Sequence, residues 1–148
     1  MIGPAQGRKP ARRTRVLLVD DDLLLLLSLR RVLERRGEHE VVLCSSAVDA
    51  LELIERGKQF DVLITDLAMP GLRGSELLVL VAAIDPGLAQ RALVLTGESL
   101  GEAVVELRAT AGVRMLAKPF ELPRLIEVVD ALSQLAPGRG APEGGSAA

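Results

Sequence analysis

Five short, almost unbroken runs of Val, Leu and Ile, each followed by a longer segment of helical spacing, constrain this chain more than any other feature. The runs occupy residues 15–20, 40–44, 60–66, 91–96 and 113–118. A strand with one wet face alternates apolar and polar residues, so a continuous apolar run reads as a strand buried on both faces. The intervening segments repeat apolar residues three and four positions apart. They are Leu25, Leu29 and Val32; Val48, Leu51 and Ile54; Leu77, Leu80, Val81 and Ile84; Val104, Leu107 and Ala111; and Leu122, Leu125, Ile126, Val129 and Leu132. Gly37, Gly57 and Gly112 stand where helices should stop, and Ser46 and Ser75 stand near helix starts. Parallel neighbours can be joined only through crossovers, so this alternation predicts an α/β fold: a doubly wound parallel sheet with helices on both faces.

At 148 residues the chain has the size of one domain, which disfavours a two-lobed enzyme. No apolar run reaches the ~18–20 residues of a membrane span, and no signal-peptide stretch precedes the first strand. One cysteine, Cys44, excludes a disulfide framework and a thiolate zinc cluster, which fits a reducing, cytoplasmic setting. One histidine, His39, disfavours Ser-His-Asp hydrolases, Cys-His pairs and histidine-rich metal sites. Two phenylalanines and no Trp or Tyr leave no stacking platform for RNA. The net charge of −2 is unevenly spread, since residues 1–15 hold five bases and no acid while residues 16–135 hold 12 bases against 19 acids. Residues 1–13 read as a disordered basic leader, 14–135 as the folded body and 136–148 as a flexible Gly/Pro/Ala tail. Direct DNA binding and membrane association are not expected.

The chemistry lies where the strands stop. In an open parallel sheet, ligands bind outside the carboxyl ends of the strands. Those ends carry Asp20, Asp21 and Asp22, then Asp66, Thr96 and Lys118. Taken singly, Asp22 reads as a helix cap, Thr96 as a turn residue and Lys118 as a solvated lysine. Together they place several carboxylates at one mouth, which is costly unless a cation offsets the repulsion. A hard divalent ion answers that need, and Mg²⁺ (or Mn²⁺), with a few carboxylates, water and a phosphate oxygen, fits better than Ca²⁺, whose D-x-D-x-D-G loop is absent. Carboxylate, Mg²⁺, ammonium and hydroxyl are the parts that phosphoryl transfer uses. Asp66, alone at the end of the central strand, is the candidate nucleophile.

The stretches VLLVDDD, DVLITDLAMPGLRG, LVLTGES and LAKPF resemble, in order and spacing, the receiver domain of two-component response regulators over about residues 14–135. The resemblance implies a flavodoxin-like (βα)5 fold, a five-stranded sheet in the order 2-1-3-4-5. It implies that Asp66 is the phosphoacceptor and that Asp21 and Asp66 bind Mg²⁺ directly. The backbone carbonyl of Ala68 is then a further ligand, with Asp20 close by through water. Thr96 becomes the switch hydroxyl, Lys118 a second phosphoryl contact, and the bond between Lys118 and Pro119 cis. It further implies a histidine kinase or histidine-phosphotransfer protein as donor and a downstream protein as target. On this reading the protein catalyses its own modification without turning over a metabolite, and no output domain follows in this chain.

Several positions depart from that pattern. Met115 stands where the family often has Tyr or Phe; methionine fills the gap, or else signalling does not run through an aromatic rotamer. Ala68 and Glu98 would border the phosphoryl group and leave its lifetime open, whereas Gly97 is small, as access to Asp66 requires. Five consecutive leucines, 23–27, exceed what one buried helix face can hold, which leaves some for solvent or for a docking partner. His39, between Glu38 and Glu40, reads as an exposed turn residue, and Cys44 as core. A haloacid-dehalogenase-like phosphatase would need an acid at Ala68, and no phosphate-binding glycine loop follows a strand. Two alternatives stay open: a receiver-like interaction module that works without phosphate, and a receiver excised from a hybrid histidine kinase.

Overall fold

The computed structural model describes residues 13–35, 39–97 and 113–137. The basic arm up to residue 12, Gly37, Glu98, the helix predicted around Val104 to Ala111, Gly112 and the tail from 138 lie outside the described residues.

Strand β1 (Thr14–Val19) leads to α1 (Leu23–Arg35), β2 (His39–Cys44), α2 (Ala47–Glu55), β3 (Val62–Asp66) and α3 (Gly74–Ile84). A short helix α4 (Pro86–Gln90), β4 (Ala92–Thr96), β5 (Arg114–Ala117) and α5 (Leu122–Ser133) follow. All pairings are parallel, and the order is β2-β1-β3-β4-β5. This is the parallel sheet with helices on both faces that the alternation of runs called for, in the flavodoxin-like order that the resemblance implied.

The continuous apolar runs follow from two cores, one on each face of the sheet. Leu17, Val19, Leu63, Ala92 and Val94 pack with Ala50, Ile54, Leu77 and Val81 of α2 and α3. Val16, Leu18, Val62, Ile64, Leu93 and Leu95 pack with Leu26, Leu29, Leu125 and Val129 of α1 and α5. Successive residues of β1, β3 and β4 thus alternate between two dry layers.

Strand β5 departs from the expectation of burial on both faces. Arg114 and Ala117 are exposed, and Met115 and Leu116 are half-buried. It is an edge strand with β4 as its one neighbour, although Met115 and Leu116 still point to opposite cores.

Helix ends show ordinary capping chemistry. The Ser46 hydroxyl accepts from Asp49 N at 3.1 Å and starts α2. Gly57, at φ +91°, ends it in the left-handed region. Ser75 does not cap α3; instead the Glu76 carboxylate accepts from Arg73 N at 2.9 Å. Helix α4 was not anticipated, but Asp85 caps it through Leu88 N at 3.1 Å and Pro86 opens it.

His39 is not a surface residue. It begins β2, is almost fully buried, and its Nε2 lies 3.1 Å from Asp130 Oδ1 of α5. Pairing with Thr14 in the β1–β2 ladder carries it into the sheet, where the flanking glutamates had made it look wet. Cys44 is buried, as expected.

Candidate functional site

The β-ladder register brings the strand-end residues together. Val19 of β1 is level with Thr65 of β3, so the next residue on each strand, Asp20 and Asp66, emerge side by side. Thr96 is level with Ala117, so Lys118 follows one step beyond Thr96. The Lys118 N–H donates to the Thr96 carbonyl at 2.7 Å, extending the β4–β5 pairing by one bond. The peptide bond between Lys118 and Pro119 is cis.

Asp20, Asp21 and Asp66 each offer an oxygen within 4.8 Å of the others. Asp20 and Asp66 are buried, while Asp21 faces solvent. Lys118 Nζ sits 3.3 Å from Asp20 Oδ2 and 3.3 Å from Asp66 Oδ1, bridging the two buried carboxylates. Asp20 Oδ1 also accepts from Asp22 N at 2.9 Å. Asp22 itself turns away to cap α1, its Oδ1 accepting from Leu25 N at 3.2 Å. Thr96 is buried at the end of β4, and Ala68 is exposed in the loop after β3.

The electrostatics show a pocket short of positive charge. Burial, reinforced by the Asp66 charge, raises the Asp20 pKa above its ordinary 3.8, even though the Asp22 N–H and Lys118 pull it down. Burial by itself would lower the Lys118 pKa, yet the charges of Asp20 and Asp66 outweigh it and hold the ammonium above its ordinary 10.5. Among the described residues the Lys118 ammonium pairs with two of the three clustered carboxylates, so negative charge is in surplus. An all-oxygen donor set with one exposed member suits a hard divalent ion that keeps part of its water shell, as Mg²⁺ or Mn²⁺ does.

Sequence reasoning did not single out Gly74. A Cβ at this position would collide with the backbone carbonyl oxygen of Asp66. The first turn of α3 therefore packs directly on the main chain of Asp66, with Gly74 N donating to Leu67 O at 3.1 Å. The signal was present in the glycine that closes the PGLRG stretch. Cys44 ends β2 one hydrogen bond from Asp20 N, but burial, with a smaller push from Asp49, lifts its thiol to about 11, so it stays protonated.

Residues 16–130 match the family model of the response regulator receiver domain. The chain belongs to that family. A response regulator receiver protein of an Anaeromyxobacter species is 35% identical over 114 residues, covering 77% of this chain and 46% of the relative. The chemotaxis protein CheY-3 of Vibrio cholerae is 29% identical over 120 residues, covering 80% of this chain and 91% of its own length. A receiver domain structure from Clostridium thermocellum superposes with a TM-score of 0.74 at 27% identity, covering 82% of this chain and 94% of that one. The chain spans between a quarter and a half of the length of the first curated relatives it matches. Receiver domains are signalling modules of two-component systems rather than metabolic enzymes. They interact with histidine kinases or phosphotransfer proteins and generally bind Mg²⁺ at an acidic pocket. The Asp20, Asp21 and Asp66 cluster offers the oxygen ligands that such an ion needs. Among the described residues no helix is long and apolar enough to cross a membrane.

Proposed function

We propose that this receiver takes a phosphoryl group onto Asp66 from a histidine kinase or histidine-phosphotransfer protein. The observation that carries the reading is the ammonium of Lys118 held at 3.3 Å from both Asp20 and Asp66, beside a third carboxylate. Mg²⁺, or Mn²⁺, would be held by Asp21, Asp66 and the carbonyl of Ala68, with Asp20 close by, and would neutralise charge on the phosphoryl oxygens. An oxygen of Asp66 forms the new bond to phosphorus as the donor's imidazole nitrogen leaves. Lys118 pairs with one phosphoryl oxygen and the Thr96 hydroxyl donates to another.

Burial of Asp20 and Asp66 helps by keeping the electrostatics strong and bulk water away. Helix α1 starts beside the pocket with Leu23, Leu24 and Leu27 exposed, Leu24 by 77%. These leucines give the phosphodonor an apolar surface to settle on. Residues 14–135 form the receiver, the setting is cytoplasmic, and the output is a contact with a downstream protein.

The test is intact mass after incubation with Mg²⁺ and acetyl phosphate or phosphoramidate. The reading expects one added phosphoryl group in the wild type and none in Asp66→Ala. Retained labelling of the variant would put the acceptor elsewhere.

A further inference from the structure

Thr65 puts a hydroxyl where β3 otherwise presents apolar side chains. Leu63 and Leu67, two positions to either side, belong to the core beneath α2 and α3, so the alternation of the strand turns Thr65 into that same layer, where it is fully buried. Valine would fill this position with nearly the same outline and no polar atom to satisfy. The hydroxyl donates to the carbonyl of the next residue, Asp66 O, at 3.0 Å.

Helix α3 meets the same carbonyl. A Cβ on Gly74 would collide with Asp66 O and crowd the Leu67 Cα, and the Gly74 N–H donates to Leu67 O. Glycine therefore leaves room for the Asp66 carbonyl but has no side chain to hold it, and the Thr65 hydroxyl supplies the donor. A threonine side chain is stiff at χ1, so the strand backbone sets that donor in place. Alternation sends the Asp66 side chain to the other face of β3, where its Oδ1 lies 3.3 Å from Lys118 Nζ.

We propose that Thr65 is a positioning residue for Asp66: its hydroxyl fixes the carbonyl behind the phosphoacceptor, and with it the direction in which the carboxylate meets metal and phosphodonor. This rests on the reading of Asp66 as the acceptor. Being wholly buried, Thr65 touches neither the ion nor the phosphoryl group and acts through the residue beside it. The peptide between Asp66 and Leu67 joins the acceptor to the loop carrying Ala68, so freeing its carbonyl loosens both the Asp66 carboxylate and the Ala68 oxygen assigned to Mg²⁺. A nucleophile misplaced by about 1 Å loses about 100-fold in rate. One released hydrogen bond allows a smaller drift, and about tenfold is expected.

Three variants of the full chain test it. Thr65→Val removes the donor and keeps the shape, and Thr65→Ser keeps the donor. Thr14→Val is the control, because Thr14 is equally buried at the opposite end of the sheet and its hydroxyl has no hydrogen-bond partner. Two quantities are read: the rate of intact-mass labelling as acetyl phosphate is varied at saturating Mg²⁺, and calorimetric titration with Mg²⁺ alone. Thr65→Val should label about tenfold more slowly at saturating acetyl phosphate, with an unchanged half-saturating concentration, and bind Mg²⁺ about tenfold more weakly. Thr65→Ser should recover most of both, and Thr14→Val should match the wild type. A purely structural role would instead lower the unfolding temperature and the fraction that can be labelled, leaving the rate of the folded fraction untouched. Thr65→Val matching the wild type in either measurement overturns the proposal, as does equal slowing in Thr14→Val or no recovery in Thr65→Ser. Failure of the acceptor reading looks different and removes the proposal with it: the wild type then gains no phosphoryl group, or Asp66→Ala still gains one.

Discussion

Replacing Lys118 with methionine keeps most of the side-chain volume and removes the ammonium that bridges the two buried carboxylates. At 3.3 Å from each of Asp20 and Asp66, the gross attraction is roughly 5 kcal/mol per pair at an effective dielectric of about 20. Desolvation of the partners cancels much of it. Removing one member of a fully buried ion pair costs about 3–5 kcal/mol, and the Lys118 side chain is 30% exposed, so we expect a loss of about 2–3 kcal/mol. For a domain of this size that is a fall of about 10 °C in Tm. The assay is thermal and urea unfolding of wild type and Lys118→Met in chelator, repeated with millimolar Mg²⁺. Without metal the variant should be less stable by the stated amount. With Mg²⁺ the gap should narrow, because the ion supplies the missing positive charge and stabilises whichever state binds it. The pH dependence has a definite sign. The Lys118 pKa is raised above 10.5 in the folded state, so its contribution is complete below about 10.5 and lost as pH climbs beyond the folded value. The wild type should therefore lose stability through that alkaline range more steeply than the variant. A variant as stable as the wild type in chelator, or a gap indifferent to Mg²⁺, would refute the reasoning.

Three further outcomes follow from particular contacts. Gly74→Ala pushes a Cβ into the Asp66 carbonyl and should cost about 1–3 kcal/mol in urea unfolding; it should also slow labelling by acetyl phosphate, since the Asp66 main chain must shift. Asp130→Ala strips buried His39 of its Nε2 partner, and Nδ1 already lacks one. That change should cost about 1–3 kcal/mol, with labelling unchanged because the contact lies at the far end of the sheet. Leu24→Ser with Leu27→Ser should leave stability within about 0.5 kcal/mol and labelling by acetyl phosphate intact, but slow transfer from a protein donor; equal slowing with both donors would reject a docking role for α1.

The two-faced parallel sheet was readable because Val, Leu and Ile fill β1, β3 and β4 without polar interruption, a pattern that burial on both faces produces. The same logic overreached at β5. Its run is as apolar as the others, and only the strand order reveals that it is an edge with exposed Arg114 and Ala117. The strand-end carboxylates were legible because an apolar core cannot satisfy them. That Lys118 faces the same mouth was legible too; which carboxylates it bridges was not, since that depends on the β1–β3 and β4–β5 registers, which bring together Asp20 and Lys118, 98 residues apart in sequence. His39 was misplaced because adjacent glutamates describe local polarity, whereas its burial comes from α5, whose Asp130 lies 91 residues away. Helix α4 was overlooked although Asp85 and Pro86 are ordinary opening signals, because five residues are too few to show a period. Gly74 was overlooked because a steric requirement against another segment's carbonyl leaves no trace in periodicity.

The account rests on Asp66 carrying the phosphoryl group. Borohydride reduction of the protein after acetyl phosphate and Mg²⁺ treatment converts an aspartyl phosphate into homoserine, which peptide mass mapping then places in the chain. The account predicts homoserine at position 66, dependent on Mg²⁺ and diminished in Lys118→Met. Homoserine at Asp20, Asp21 or any other carboxylate, or none at all despite a gain of one phosphoryl group in intact mass, would contradict it.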